Sequence, residues 1–226
     1  MIIYSFLISG MSVKRWLLGC LCGLIVGSLG IPLLGIWMRI LNFKKPFVSL
    51  SDIQKEALKP YFDSSIIQKA RICYSASFPY IPSFFLKLFE KIFEKKKLLQ
   101  DSKEELEEES CLIDFHDTLG LTFGNIIYLR MKSGWCIEEE EDEEEEEVVM
   151  FEELTTIAHE MVHVSQYNSY LIEPLFGFKY TYDWATCANF DYYEIQFEKE
   201  AFDLESEIEH SLMVFCEQTI QNNKVK

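Results

Sequence analysis

Leu154-Thr155-Thr156-Ile157-Ala158-His159-Glu160-Met161-Val162-His163 runs from an uncharged lead-in straight into two histidines with a glutamate between them. On a helix, histidines four apart share a face, where both rings can bind one zinc ion. Glu160 directly follows the first histidine and can take a proton from a metal-bound water. Phe151, Leu154, Ile157, Ala158, Met161, Val162 and Val164 offer an apolar surface, so this helix is expected to be packed. Its start is expected near Val149 to Glu153 and its end near Tyr167. Burying two imidazoles and a carboxylate without partners is costly, and a zinc ion would satisfy them. The plain alternative is an amphipathic helix whose histidines hydrogen-bond to neighbours.

A hydrolytic zinc site needs a third protein ligand and leaves its fourth position to water. The chain continues Val164-Ser165-Gln166-Tyr167-Asn168-Ser169, with no further histidine, so the metzincin pattern is excluded. The remaining histidines, His116 and His210, are distant, and a glutamate on a second helix is the better choice. Candidates are Glu194, Glu198 and Glu200. Periodicity predicts that second helix from about Ile195 to Phe215, with Phe197, Ala201, Leu204, Ile208, Leu212 and Phe215 as its packing stripe. Glu198 and Glu200 both adjoin the stripe, and spacing does not separate them. A developing oxyanion would need a further donor; Tyr167, Tyr170, Tyr180, Tyr182, Tyr193 and His210 are candidates.

Trp16 to Met38 is a run of 23 residues without a charge. As a helix it would reach roughly 34 Å, enough to cross about 30 Å of hydrocarbon. Lys14 and Arg15 precede it, Arg39, Lys44 and Lys45 follow it, and Trp16 and Trp37 suit the interfaces. The expectation is a single retained membrane anchor of unassigned orientation over 16–38, after a short tail over 1–15. A cleaved leader and a buried soluble helix are the rivals. Gly19, Gly23 and Gly27 are spaced four apart and could bring two such helices together, although glycine is common in membrane helices anyway.

The net charge of -16 excludes nucleic acid as a partner, because the chain cannot gain the counterion release that drives such binding. Much of that charge lies in ten consecutive acidic residues, Glu138 to Glu147, expected to form a solvated, disordered loop. Hydrophobic residues at 49% leave ample material for a core. The seven cysteines are scattered, with no close ligand spacing outside the anchor, so a structural zinc knuckle is not expected. Ser49 or Ser51 is expected to cap a helix running to Lys59 and stopped by Pro60. A short strand is expected within Ile66–Tyr74, a helix over Phe84–Leu99, and a strand from Asn125 or Ile126 to Arg130 behind a Gly-Asn turn.

HEMVHVSQY followed by FEKEAF resembles bacterial zincin-like peptidase domains with HExxHxxQ and a later ExEA segment, including the domain associated with extracellular contractile injection systems. LSDIQKEALKPYFDSSIIQKARICY and GLTFGNIIYLR resemble that group's amino-terminal helix, short strand and Gly-Asn strand. The resemblance covers about residues 49–205 and implies an α+β, gluzincin-type fold, for a domain expected over residues 49–220. It further implies His159, His163 and Glu198 as zinc ligands, Glu160 as general base, and peptide or protein as substrate. Related motifs often end in Ala-Asp or Ala-Asn, where the last residue orients a histidine. Here Ala201-Phe202 stands instead, with Asp203 displaced by one, so support for the ligands must come from elsewhere. The competing expectation is an inactive zincin-like binding protein that keeps its zinc for stability. A non-peptidase hydrolase is a third.

Overall fold

The computed structural model describes residues 13–78, 118–132, 143–186 and 192–224. The apolar run forms one continuous helix, α1, over residues 13–41, whose Gly23–Gly30 segment is π-helical between α-helical Val13–Cys22 and Ile31–Leu41. A short strand β1 (Val48–Ser49), helix α2 (Asp52–Leu58), helix α3 (Ser64–Lys69) and strand β2 (Arg71–Cys73) follow. Strands β3 (Gly120–Phe123) and β4 (Ile126–Leu129) form a hairpin across the Gly124-Asn125 turn. Three helices complete the described chain: α4 (Glu143–Ser169), α5 (Glu173–Thr186) and α6 (Gln196–Lys224), the last entered through a 3-10 turn at Tyr192–Glu194. The protein is thus mixed α+β, mostly helical, with one four-stranded sheet of order β1-β2-β4-β3. β2 and β4 are parallel and the outer pairs antiparallel, so β3 is an edge strand among the described residues.

The main core lies between sheet, α4 and α6. Ile72, Ile127 and Leu129 from the strands meet Leu154, Ile157, Ala158 and Met161 of α4, with Ile208, Leu212, Cys216 and Ile220 of α6 closing the cluster. Fully burying each Leu or Ile contributes about 1.5–3 kcal/mol, so this seam holds the two ligand-bearing helices together. A second cluster, Tyr167, Phe176, Trp184, Ala185, Ile195 and Phe197, joins the end of α4 to α5 and the start of α6.

Local sequence explains the entry to the domain. Ser51 Oγ accepts from Gln54 N, and Gln54 Oε1 accepts from Ser51 N, a reciprocal cap that fixes the start of α2. The free end of the same glutamine then donates to Glu153 Oε1 at 2.7 Å, and Tyr74 OH donates to that oxygen at 2.5 Å. One buried carboxylate therefore ties α2 and the end of β2 to the middle of α4.

Several elements differ from expectation. Glu143–Glu147 belong to α4, not to a loop, so the helix begins earlier than Val149. Glutamate is a good helix former, and an unbroken run of it favours extending the helix over a loop. In the stretch Ile66–Tyr74, α3 takes Ile66 and Ile67 into the core, and the strand is confined to Arg71–Cys73. α6 continues past Phe215 to Lys224, because Cys216 and Ile220 prolong its apolar stripe. The helix expected over Phe84–Leu99, Glu138–Asp142, His116 and residues 1–12 lie outside the described residues.

α1 is longer than its expected bounds and is not a free-standing tether. Gly19–Leu41 is long and apolar enough to cross a membrane. Yet Met38 is buried with Cys73, Ala76 and Tyr128, and Asn42 Nδ2 donates to Ser77 O at 2.9 Å while Asn42 Oδ1 accepts from Ser77 N at 2.7 Å. The carboxyl end of the helix is thereby bonded to the domain.

The tie at Glu153 is open to test. Glu153→Ala leaves Gln54 and Tyr74 facing an unfilled pocket and is expected to cost about 1–3 kcal/mol, read as a lower urea midpoint with unchanged slope.

Candidate metal centre

His159 and His163 stand one turn apart on α4, their ring centroids 5.2 Å from each other. Opposite them, Glu198 occupies the first turn of α6, where a carboxylate is favoured by the helix dipole. Its Oε2 lies 3.5 Å from His159 Nε2 and 3.4 Å from His163 Nε2. The three ligand atoms all fall within 4.8 Å of one another. A tetrahedral first-row ion with bonds of about 2.0–2.2 Å holds its ligand atoms roughly 3.3–3.6 Å apart, so the donor set fits a metal ion. The side chain of Glu198 is 3% exposed and those of His159 and His163 12% and 10%, so the cluster is nearly closed to solvent.

Each ligand is held from behind. Gln166 Nε2 donates to Phe197 O at 3.0 Å and to Glu200 Oε2 at 2.9 Å, which turns Gln166 Oε1 toward His163 Nδ1 at 2.8 Å. An acceptor there makes Nδ1 the N–H donor and leaves Nε2 to face the metal position. Glu205 Oε2 does the same for His159 Nδ1 at 3.0 Å. Phe202, in the place where an Asp or Asn was absent, packs its ring 4.7 Å from that of His159. Glu198 is gripped by two phenols, Tyr180 OH donating to Oε1 at 2.6 Å and Tyr192 OH to Oε2 at 2.5 Å.

Glu160 is 6% exposed and lies against the edge strand. Thr122 Oγ1 of β3 donates to its Oε2 at 2.7 Å. A Cβ at Gly120 would come within 2.7 Å of Glu160 Oε1, so only glycine lets the strand approach this closely. The motif glutamate is thus clamped between its own helix and β3.

In the metal-free protein these groups hold protons against one another. Burial by itself would lower His159, but hydrogen bonds from Glu198 and Glu205, with the charge of Glu160, outweigh it and raise the imidazole to about 10. His163 is likewise opposed by burial and raised by Glu198 and Glu160. Burial would raise Glu198, but His163, His159 and Tyr180 hold its carboxyl far below the usual range. Glu160 is raised chiefly by burial. A metal ion binding here has to displace protons that the neighbouring carboxylates help these imidazoles to hold.

Of the three acids left open by spacing, the fold brings Glu198 to the histidines. Glu200 is turned to Gln166, and Glu194 pairs with Lys199 at 2.8 Å. Among the candidate donors, Tyr180 reaches the cluster, whereas Tyr167 stacks on Phe176, Tyr182 packs against α1, Tyr193 is 64% exposed and His210 is exposed farther along α6. The sequence points to Gln166 only as the last letter of the HExxHxxQ match, and to no role for Tyr192, Glu205 or Thr122. Gln166, one turn beyond His163, and Glu205, two turns beyond Glu198, carried a signal in their helical spacing; Tyr192 and Thr122 carried none.

Two outcomes follow. An imidazole raised above its ordinary 6.5 stabilises the fold fully below pH 6.5 and loses that contribution as pH climbs through about 10. Metal-free protein is expected to show a melting temperature that declines across that window, while metal-loaded protein, already stripped of those protons, stays flat. Gln166→Ala should weaken metal affinity about 10- to 100-fold in a competition titration, by freeing the His163 ring. Comparison of the chain with family models, curated proteins and solved structures returned no match.

Proposed function

We propose that this protein is a membrane-attached, zinc-dependent peptidase of the zincin type, with His159, His163 and Glu198 as ligands and Glu160 as general base. The observation that carries this reading is the convergence of two Nε2 atoms on one oxygen of Glu198, with a buried glutamate beside them on the same helix. Two nitrogens and one carboxylate oxygen are a donor set suited to catalytic zinc. Zinc bound there would supply Lewis acidity and bring a water to ionise near neutral pH.

The chain's own residues account for the rest. Glu160 takes the proton from the attacking water and passes it to the departing amine. Burial raises its carboxyl, which makes it a better base than an exposed glutamate. Thr122 holds one of its oxygens, so the carboxylate keeps its direction during the transfer. Among the described residues β3 lies at the sheet edge against the same glutamate, and an extended peptide pairing with that edge would run past the base. Peptide is accordingly the favoured substrate over a small ester or amide. α1, long and apolar enough to cross a bilayer, supports attachment to a membrane.

A second reading has its own support. His163 and Glu198 are almost fully buried, as the ligands of a purely structural zinc would be. Glu160→Gln separates the two. Under the peptidase reading the variant keeps stoichiometric zinc by elemental analysis and loses cleavage of an unfolded protein substrate at least about 100-fold. Zinc retained in both proteins, with identical or absent cleavage, would instead favour the structural role.

A further inference from the structure

Gly19, Gly23 and Gly27 of α1 are already occupied by a partner, and that partner is α5 of the same chain. A Cβ at Gly27 would sit 2.1 Å from Gly177 O and 2.2 Å from Thr181 Oγ1. At Gly23 it would meet Phe178 at 2.8 Å, and at Gly19 it would meet Thr186 Cγ2 at 2.6 Å. Gly27 opposite Gly177 and Gly19 opposite Thr186 make the two helices antiparallel. Ser28 Oγ adds a bond to Pro174 O at 3.2 Å. Residues four apart drift one way around an α-helix and the other way around the wider π-helix. Joining the two at Gly23 therefore keeps Gly19, Gly23 and Gly27 in line, and α5 lies along that line.

The other face of α5 points at the metal centre. Phe176, Tyr180 and Trp184, spaced four apart, enter the second core cluster or pack against it, and the Tyr180 ring stacks on Phe197 at 5.9 Å. From there its hydroxyl donates to Glu198 Oε1. Oε2 faces the imidazoles, so Oε1 is the oxygen that would otherwise be left buried without a donor on its own side. With Oε1 held, the carboxylate has one orientation, and that orientation presents Oε2 to His159 and His163.

We propose that Tyr180 is a positioning residue for Glu198, and that the close seam between α1 and α5 fixes where Tyr180 stands. The apolar amino-terminal helix is then a structural part of the metal centre rather than a detachable anchor. This rests on the metal-centre reading above but not on any turnover.

The test uses the full chain in detergent, stripped by chelation and titrated with Co2+, whose visible absorption reports both affinity and coordination. Tyr180→Phe keeps the ring and removes only the donor. It is expected to weaken Co2+ binding about 10- to 100-fold and to change the visible spectrum of the bound ion, with a lower melting temperature in the metal-free protein because Glu198 Oε1 loses its donor. Gly27→Val, which forces the helices apart, should weaken Co2+ binding similarly. Gly19→Ala, which meets only side-chain atoms, is the milder variant should Gly27→Val fail to fold. Gly30→Ala, whose Cβ has nothing nearer than 3.8 Å, should bind as wild type. In the Tyr180→Phe background the seam variants should cause no further loss, because they act through the same hydroxyl. Wild-type affinity in Tyr180→Phe, or seam losses that multiply with it, would overturn the proposal while leaving the metal centre standing. A wild-type protein that takes up no Co2+ would bring down the metal centre and the proposal together.

Discussion

A single buried carboxylate organises this protein. Glu198 is almost completely shielded from water, and an isolated charge in that position would be strongly unfavourable. It is tolerated because four groups converge on it: two imidazoles from α4, one phenol from α5 and one from the turn before α6. Those four groups come from segments far apart in sequence, so the carboxylate is satisfied only when α4, α5 and α6 are all in place. The aliphatic core between α4 and α6 supplies most of the free energy of packing, but it has no means of choosing this register over a neighbouring one. The polar cluster does, since sliding α6 by one turn would leave the acid without partners and two imidazoles without an acid.

The surrounding bonds form a graded shell in which each ligand is fixed by a residue that is itself fixed. Gln166 is oriented by a main-chain carbonyl and a carboxylate before it orients His163. Glu205 braces the more exposed His159, and Thr122 braces Glu160 from the sheet. This arrangement has a chemical consequence. Protons and a metal ion compete for the same Nε2 atoms, and the acids that would draw a metal in also raise the proton affinity of its ligands. Loading is therefore an exchange reaction whose balance shifts toward the metal as protons become scarce.

The parts of this that could be read from the sequence are those governed by local periodicity. His159 and His163 fall on one helical face because four residues make about one turn, and Ala201, Ile208 and Leu212 announce the packing side of α6 in the same way. The cap at Ser51 and the turn at Gly124-Asn125 are likewise set by residues within a few positions of each other. What escaped were contacts fixed only by tertiary placement. Glu198 and Glu200 flank the same stripe and are told apart by the angle at which α6 crosses α4. Tyr192 and its neighbour Tyr193 are indistinguishable as letters, yet one bonds to the third ligand and the other faces solvent. Five of the consecutive acids joined a helix, because the helix propensity of glutamate acts at every residue of the run.

The glycines of α1 show how a motif can be legible and its partner not. Small residues four apart state that something approaches closely, but the letters do not say whether it is another copy or the same chain. Here α5 fills the seam. The outward side keeps Leu17, Leu21, Leu24, Leu29, Leu33, Ile36 and Ile40 exposed, an apolar stripe that meets its charge only at Arg39 in the last turn. Only 22% of the most apolar window of the helix is buried, so the domain covers one side and leaves the other for an apolar surrounding. The two sides of α1 thus have separate tasks. Its glycines accept the strut that holds Tyr180, and its leucines and isoleucines face whatever lies beyond the protein. A helix that entered a bilayer by that outer stripe would carry α5 with it, because no side chain at Gly27 separates them. The metal centre would then sit one helix away from the lipid, on the same rigid strut.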